Sequence, residues 1–344
     1  MVLSFAVACL LPILVSGLAS SDVSRARLEA AFASPSGKLT FAPEVVIPEP
    51  NDPTAILLMA SNIQTLSEQI RTCKTNAAFV QSSLTALQTF AAEQEQARGS
   101  FPGPVSLIYC GDAEVEAIAE AGADGVLVKV CEGNLLESVD EIASEGPWRD
   151  RCKSIIDSGL QPVPEVTLGH EAASKWTEDD TEALVARLSE VVGVEPVCMV
   201  VTVDPVDEDQ EEPVALPPVS KELRKKLAIL GSVRVMAGEN RVSMESMRFK
   251  DAGYNGAFLR SDCVPGFRMQ LDLRVVGQFW SSCIGDLKST RSKSFSFRSK
   301  NNMEMDIGQK WMNYKKRILD DGALGDMQDT SSINSDAGDY QGFA

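Results

Sequence analysis

Histidine is almost absent from this sequence, and the cysteines are not arranged in a metal-binding spacing. His170 is the one histidine among 344 residues, and none of the eight cysteines belongs to a C-x-x-C motif. This composition disfavours a histidine-rich metal site, a zinc site, a disulfide scaffold and a Ser/His/Asp triad. We therefore expect no bound metal, and we predict that most of the cysteines are buried thiols.

Basic residues are in deficit, and aromatic residues are few. The chain has 32 Lys and Arg against 49 Asp and Glu, a net charge of −17, and only 6% aromatic residues. So negative a surface repels nucleic acid and anionic membranes, and we expect neither as a general partner. Hydrophobic residues make up 44% of the chain, which allows a sizeable core of Val, Leu, Ile and Ala.

The first 51 residues differ in pattern from the rest of the chain. Residues 1–19 form an uncharged apolar run that ends in small residues, which predicts a cleaved targeting segment; a buried N-terminal element is the alternative. We interpret residues 20–51 as the remainder of a presequence with a possible first strand. Within them, AAFASP and LTFAP resemble the Ala-Phe junction of two-part plastid presequences. We expect delivery to a plastid by way of a secretory-type presequence, or otherwise to the secretory pathway, and membrane contact only if the N-terminal segment stays uncleaved.

Residues 288–344 form a second region without the strand–helix pattern. Their first part is basic and rich in serine, and their last part is acidic and polar. Between these parts, apolar residues around Trp311 recur at helical spacing. The predicted helix either docks on the outside of the main domain or binds a protein partner on a tether.

Residues 52–287 alternate between short apolar runs and amphipathic helical stretches. Seven predicted strands lie in this range, and with an eighth before it they imply a parallel sheet that closes into a (β/α)₈ TIM barrel, an α/β fold. The alternative, an open doubly wound sheet, is disfavoured because no G-x-G-x-x-G loop is present. The first strand is predicted at Ala26–Phe32. The other seven are predicted at Ala77–Ser83, Pro104–Cys110, Gly125–Val130, Gln161–Leu168, Val197–Val203, Ser232–Gly238 and Gly256–Ser261.

Three segments resemble the indole-3-glycerol-phosphate synthase family. LEAAFASPSG (Leu28 to Gly37) resembles the first strand of that barrel, GLQPVPEV (Gly159 to Val166) its fifth strand, and RVMAGENRVSMESM (Arg234 to Met247) its seventh strand and loop. The unit EAGADGVLVKV (Glu120 to Val130) is typical of phosphate-binding barrels more widely. The resemblance spans about Leu28 to Val264.

The resemblance implies a lyase that decarboxylates and closes the indole ring of a carboxyphenylamino-deoxyribulose phosphate in tryptophan synthesis, without a cofactor. It implies catalytic carboxylates at Glu29 and Glu165. His170 follows the fifth strand and is a candidate substitute acid or base. A phosphorylated small molecule is the expected ligand, and its candidate contacts are Ser34, Ser36, Gly238, Asn240, Arg260 and Ser261.

The sequence departs from the family where two catalytic lysines are expected. The first-strand lysine falls on Ala31, and the third strand, PVSLIYC, has none. A group that stabilises charge in the transition state contributes roughly 10²–10⁴ in rate, so losing two predicts a non-catalytic barrel that acts as a binding or structural protein. Two alternatives are a working synthase in which Lys129 substitutes, and a barrel enzyme that uses Glu165 and His170 on another phosphorylated molecule.

Two further groups have both a functional and a structural interpretation. Cys110, Cys131 and Cys263 follow strand ends and could meet at the barrel mouth as a soft metal or redox site, but small buried side chains are the favoured interpretation. The acidic run DPVDEDQEE (Asp204 to Glu212) lacks the spacing of a calcium loop, which favours a solvated loop.

Overall fold

Eight parallel strands pair in chain order, and the last pairs with the first, so the sheet is a closed barrel. The computed structural model describes residues 21–33, 39–49, 53–73, 75–142, 146–204, 215–233 and 248–261. The fold is therefore the (β/α)₈ barrel predicted from the alternation of strands and helices, and the open-sheet alternative is wrong. The strands are β1 (Thr40–Val46), β2 (Ala77–Gln81), β3 (Ser106–Tyr109), β4 (Gly125–Lys129), β5 (Gln161–Leu168), β6 (Cys198–Val203), β7 (Ala228–Val233) and β8 (Gly256–Leu259).

Helices precede or connect the strands, and several begin and end at residues suited to that position. The hydroxyl of Thr177 accepts a hydrogen bond from the Asp180 N–H while the Asp180 carboxylate accepts from the Thr177 N–H, a capping box, and this helix ends at Gly193 with φ of +81°. The helices are α1 (Ser21–Phe32), α2 (Pro53–Thr72), α3 (Leu84–Gln96), α4 (Val115–Glu120), α5 (Pro147–Asp157), α6 (His170–Lys175), α7 (Glu178–Val192) and α8 (Lys221–Lys226).

The prediction of Ala26–Phe32 as the first strand is wrong. These residues form the last two turns of α1, and the first strand is β1. Ser24, Leu28 and Phe32 recur every four residues and are buried, while most of the positions between them are exposed, which is the burial pattern of a helix. The segment TFAPEVV is buried at six consecutive positions, as expected for a strand covered on both faces.

The seventh strand was predicted too far along the chain. Ala228, Ile229 and Leu230, assigned to the end of a helix, begin β7, and α8 ends at Lys226. The apolar run is buried throughout, whereas the basic α8 is mostly exposed. The other six predicted strands are confirmed to within two residues at each end.

Helix α1 closes the amino-terminal end of the barrel. Leu28 and Phe32 belong to the apolar cluster inside the barrel, which also contains the tilted rings of Phe79 and Phe258, whose centroids are 4.2 Å apart. A second apolar cluster fills the space between the sheet and the surrounding helices. Arg27 donates to the carboxylate of Asp124, directly before β4, at 3.2 Å. The side chains of α1 thus help to fill the interior at its amino-terminal end. A filled interior is general in barrels of this architecture.

The end segments defined from the sequence are mostly outside the described residues. Strand β1 lies within 20–51, the segment interpreted as a presequence remainder with a possible first strand. Residues 1–19, the 288–344 extension and the predicted Trp311 helix fall outside the described ranges. Among the helices that the structure describes, none is long and apolar enough to cross a membrane.

Candidate functional site

Inward-facing positions at the carboxyl ends of the strands carry polar side chains. Successive residues of a strand face opposite sides, so positions two residues beyond interior apolar side chains also face the interior. Val163 lies inside the barrel, and Glu165 and its register partner Lys129 face the same way. We call the resulting set the mouth cluster: Glu44, Lys129, Glu165, Thr202, Ser232 and Arg260, with Cys110 beneath them.

An ion pair between Glu165 and Arg260 crosses the mouth from β5 to the end of β8. Arg260 Nη2 donates to Glu165 Oε1, which also accepts from the Thr202 hydroxyl at 3.0 Å. Arg260 Nε donates to the Ser232 hydroxyl at 3.0 Å. The guanidinium also lies 4.9 Å from the centre of the Phe258 ring. Each strand from β5 to β8 therefore supplies or supports one member of this network.

The pair is nearly inaccessible to solvent, and one of its atoms has no partner. The side chain of Glu165 is 2% exposed and that of Arg260 is 14% exposed. Glu165 Oε2 is buried and accepts no hydrogen bond from the part of the chain that the structure describes. A buried carboxylate oxygen without a donor is destabilising, typically by about 1–3 kcal/mol or more. Such an atom at a barrel mouth is suited to accept a hydrogen bond from a ligand.

A second carboxylate, Glu44, lies on β1, four strands away from β5 in the eight-strand barrel. It is buried, and its Oε2 accepts from the Ser261 N–H at 2.9 Å and from the Ser261 hydroxyl at 3.0 Å. Ser261, predicted as a phosphate contact, thus directs both donors at Glu44.

Cys110 lies between the charged members of the mouth cluster. Burial raises the pKa of its thiol well above the usual value, the negative charges of Glu44 and Glu165 raise it further, and the Arg260 and Lys129 charges lower it. The thiol is therefore neutral at ordinary pH and is not an activated nucleophile. Cys131 instead places its Sγ 3.7 Å from the Glu141 carbonyl oxygen.

The metal or redox site that Cys110, Cys131 and Cys263 could form, which the sequence disfavoured, has no support among the described residues. Cys263, its third member, lies outside the described ranges. Within those ranges no group of three His, Cys, Asp or Glu side chains could hold a metal ion. The acidic run after Asp204 also lies outside them.

Lys129 is the cation of the mouth cluster that has no ionic partner among the described residues. It is the last residue of β4, its side chain is exposed, and it pairs in register with Glu165 on the neighbouring strand. The sequence alone did not determine whether the Lys129 side chain faces into the barrel or away from it. Gly125 contacts Leu28 inside the barrel and Leu127 packs against the interior cluster, so Lys129 has the inward parity.

The other predicted site residues lie at the mouth, at the opposite end of the barrel or outside the described ranges. His170 begins α6 directly after β5, on the mouth side as predicted, and its Nδ1 is buried without a hydrogen-bond partner among the described residues. Glu29 is exposed on α1, paired with Arg25 at 2.8 Å, at the amino end of the barrel. The catalytic role expected for Glu29 stays a prediction, and the structure places this residue at the opposite end of the barrel from Glu165. The candidate phosphate contacts outside the described ranges are Ser34, Ser36, Gly238 and Asn240.

Sequence reasoning missed Glu44, Thr202 and Ser232. Glu44 was missed because the first strand was predicted at Ala26–Phe32 and TFAPEVV was not predicted as a strand. A single acid within that apolar run was the available signal. Thr202 and Ser232 gave no comparable signal, because a hydroxyl near the end of a strand is common.

Comparisons with known proteins concern the fold alone. No protein-family model matches this chain, and no curated protein matches its sequence. Among solved structures, the chain is similar to N-acetylneuraminate lyase from Mycoplasma synoviae, with 12% identity, a TM-score of 0.41 and 88% of each chain covered.

Two further solved structures are similar at the same level. CdNal from Clostridium difficile shares 10% identity over 83% of this chain and 84% of that one, with a TM-score of 0.42. The carboxyl transferase domain of Rhizobium etli pyruvate carboxylase shares 10% identity over 91% of this chain and 60% of that one, with a TM-score of 0.43. Likenesses this low do not carry a function from one barrel to another.

Proposed function

We propose that this barrel binds a small phosphorylated molecule at its mouth and does not perform the ring closure of the indole-3-glycerol-phosphate synthases. The ion pair between Glu165 and Arg260 carries the proposal. The resemblance assigns a catalytic role to Glu165, and a general acid or base must gain and lose a proton during the reaction. Here Oε1 already accepts hydrogen bonds from Arg260 and Thr202, so it is not free to exchange a proton with a substrate.

The strands that the structure describes also lack a lysine at the two positions where the family has a catalytic one. Strand β1 is TFAPEVV and contains no lysine, and at the end of β3 the inward position is occupied by Cys110. A thiol is neutral or, once deprotonated, negative, so Cys110 does not provide the positive charge expected of a lysine there. Neither strand therefore supplies the cation that holds a departing carboxylate or protonates the closing ring.

A binding role is supported by the groups that the mouth leaves available. Lys129 offers a cation with no ionic partner among the described residues, and Glu165 Oε2 offers a buried acceptor. Barrels of this architecture bind their ligands at the carboxyl ends of the strands. These groups favour a small anion with hydrogen-bond donors.

The purified protein should be incubated with the carboxyphenylamino-deoxyribulose phosphate substrate while indole fluorescence is followed. We expect binding by calorimetry but no fluorescence increase above the uncatalysed rate. Turnover at ordinary enzyme rates that disappears in Glu165→Gln and persists in Glu29→Gln would overturn the proposal. Glu29→Gln is the matched control because Glu29 is an exposed glutamate at the other end of the barrel.

A working synthase is the second candidate, and the position of Lys129 favours it. This lysine lies beside Glu165 in register and shares its inward parity, so it could supply one of the missing charges. In that case Lys129→Gln should abolish any turnover observed. Lys153→Gln, at an exposed position of α5, should not change it.

We propose a plastid location for the protein, with residues 1–19 as the targeting segment. A fluorescent fusion of the full chain should localise to the plastid, and a fusion without residues 1–19 should not. Equal distributions of the two fusions would contradict this proposal.

A further inference from the structure

Two groups of the mouth cluster have unmet binding capacity and lie on adjacent strands. Among the described residues, no donor reaches the buried Glu165 Oε2, while Oε1 already accepts from two. Lys129 has no ionic partner among the described residues, although several ion pairs form elsewhere on the barrel. The two groups therefore require complementary partners: a hydrogen-bond donor for Oε2 and an anion for the ammonium.

The spacing of the two groups indicates that one small molecule can satisfy both. Lys129 and Glu165 are register partners on adjacent parallel strands, whose backbones lie about 4.8 Å apart. Their side chains face the same interior. A donor and an anionic group separated by two or three bonds can span this gap.

The charge of the site favours a hydroxyl over an ammonium as the donor. The cluster holds two carboxylates, Glu44 and Glu165, and two cations, Lys129 and Arg260, so its formal charge is balanced. Arg260 already compensates Glu165. A ligand ammonium beside Oε2 would add a positive charge close to Arg260, whereas a hydroxyl donates without adding charge.

We propose that the mouth binds a small hydroxylated anion, with its hydroxyl donating to Glu165 Oε2 and its carboxylate or phosphate held by Lys129. The inference rests on the proposed binding function and names the chemistry of the ligand and its two contacts. Glu165 acts here as a hydrogen-bond acceptor, and Lys129 as the anion contact. A hydroxy acid and a hydroxylated phosphate share this chemistry.

Two pairs of probes separate the hydroxyl from the anion. Glycerate is compared with propionate, and glycerol 3-phosphate with propyl phosphate, by calorimetric titration of the full-length protein. We expect each hydroxylated probe to bind about 10-fold more tightly than its partner, the usual effect of one hydrogen bond to a charged group. Glycerol, which lacks the anion, should bind at least as weakly as propionate.

Two variants assign the contacts. Glu165→Gln should abolish the preference for the hydroxylated probe while leaving propionate and propyl phosphate affinities unchanged. Lys129→Gln should weaken all four anions about 10-fold, with Lys153→Gln as the matched exposed control. Since Lys129 is exposed, its variant is expected to fold even if Glu165→Gln does not.

The outcomes also separate this inference from the proposed function. A preference that survives in Glu165→Gln, equal effects of the two lysine variants, or no binding of any probe at about 10 mM, a concentration at which even millimolar affinities are visible, would overturn the inference. Binding of glycerate but not of glycerol 3-phosphate would support the inference while contradicting a phosphorylated ligand. Turnover of the synthase substrate would instead overturn the non-catalytic function and leave the contact assignment intact.

Discussion

The two ends of this barrel are filled by different elements and by different side chains. At the amino end, Leu28 and Phe32 of α1 fill the interior. At the carboxyl end, Glu44, Glu165 and Arg260 occupy it, and their polar atoms bond mainly to one another and to hydroxyl groups. Dense apolar packing suits stability, and buried charge suits recognition. The contrast teaches that, among the described residues, the charged side chains inside the barrel lie at its carboxyl end.

Two glutamates show the same contrast on a smaller scale. Glu29 pairs with Arg25 one helical turn away, and its side chain is 54% exposed. Such pairs contribute about 0–1 kcal/mol and are screened by salt. Glu165 is buried and held by a partner 95 residues away in the sequence. Only the second arrangement depends on the complete barrel.

Removing the apolar plug should have the largest effect on stability. We expect Leu28→Ala combined with Phe32→Ala to lower the free energy of unfolding by about 5 kcal/mol, because each side chain leaves a cavity in a closed interior. Urea unfolding followed by circular dichroism measures the change. Val23→Ala on the same helix, at an exposed position, should change stability by less than about 0.5 kcal/mol. Similar effects of the two variants would show that α1 does not seal the barrel.

Breaking the ion pair at the other end should destabilise the protein by about 3 kcal/mol. Arg260→Met leaves the buried Glu165 charge without compensation. Adding Glu165→Gln to Arg260→Met should restore most of the loss, because the amide carries no charge. Chemical unfolding of the four proteins in this cycle measures the coupling. Arg187→Met, which breaks an exposed pair with Glu190, is the control and should change stability by about 1 kcal/mol at most.

A methyl group added at the amino end should have an intermediate effect. A Cβ on Gly125 would lie 2.8 Å from the Gln161 carbonyl oxygen and 3.3 Å from Leu28 Cδ1. We expect Gly125→Ala to lower the thermal midpoint by an amount equivalent to about 1–3 kcal/mol. Gly103→Ala, where the added Cβ meets only an ordinary contact at 3.6 Å, is the control. An unchanged midpoint in Gly125→Ala would contradict the close approach of Gln161 and Leu28 to this position.

Two aspartates should give opposite, smaller dependences of stability on pH. Burial raises the pKa of Asp124 above 3.8, so its contribution to stability is present at low pH and is lost as pH rises through the raised value. Hydrogen bonds from Thr177 lower the pKa of Asp180, so its contribution is present above pH 3.8 and is lost as pH falls through the lowered value. The stability of the native protein relative to Asp124→Asn should therefore fall with rising pH, and relative to Asp180→Asn it should rise.

Unfolding free energies of the three proteins, measured from below pH 3.8 to neutral pH, test both signs. Slopes of the same sign for the two variants would contradict the opposite environments of the two carboxylates.

The fold was predicted correctly from the sequence, whereas the position of its first strand was not. Of the seven strands predicted after the first, six lie within two residues of their predicted bounds. The exception at β7 arose because AIL continues the apolar spacing of the preceding helix, and only pairing with β6 and β8 makes it a strand. The error at Ala26–Phe32 has a similar cause, since a short apolar run fits either structure when tertiary contacts are unknown.

The candidate site was also predicted only in part, because its contacts depend on tertiary structure. Glu165, Arg260 and Ser261 follow from strand ends, because the carboxyl ends of parallel strands meet at one rim. Their partners do not follow, since a link such as Arg260 to Glu165 depends on closure of the barrel and on the inward parity of each strand. Glu44 required the correct first strand, and the direction of Lys129 required the register of β4.

Equilibrium binding of glycerate to the native protein, Glu165→Gln and Glu29→Gln tests most directly whether recognition is confined to the mouth. The two variants make the same chemical change at opposite ends of the barrel. We predict that Glu165→Gln weakens binding about 10-fold, as expected for loss of a hydrogen bond to a charged group, and that Glu29→Gln binds like the native protein. Equal affinities of all three proteins, or a loss confined to Glu29→Gln, would contradict the division of the barrel into a structural end and a binding end.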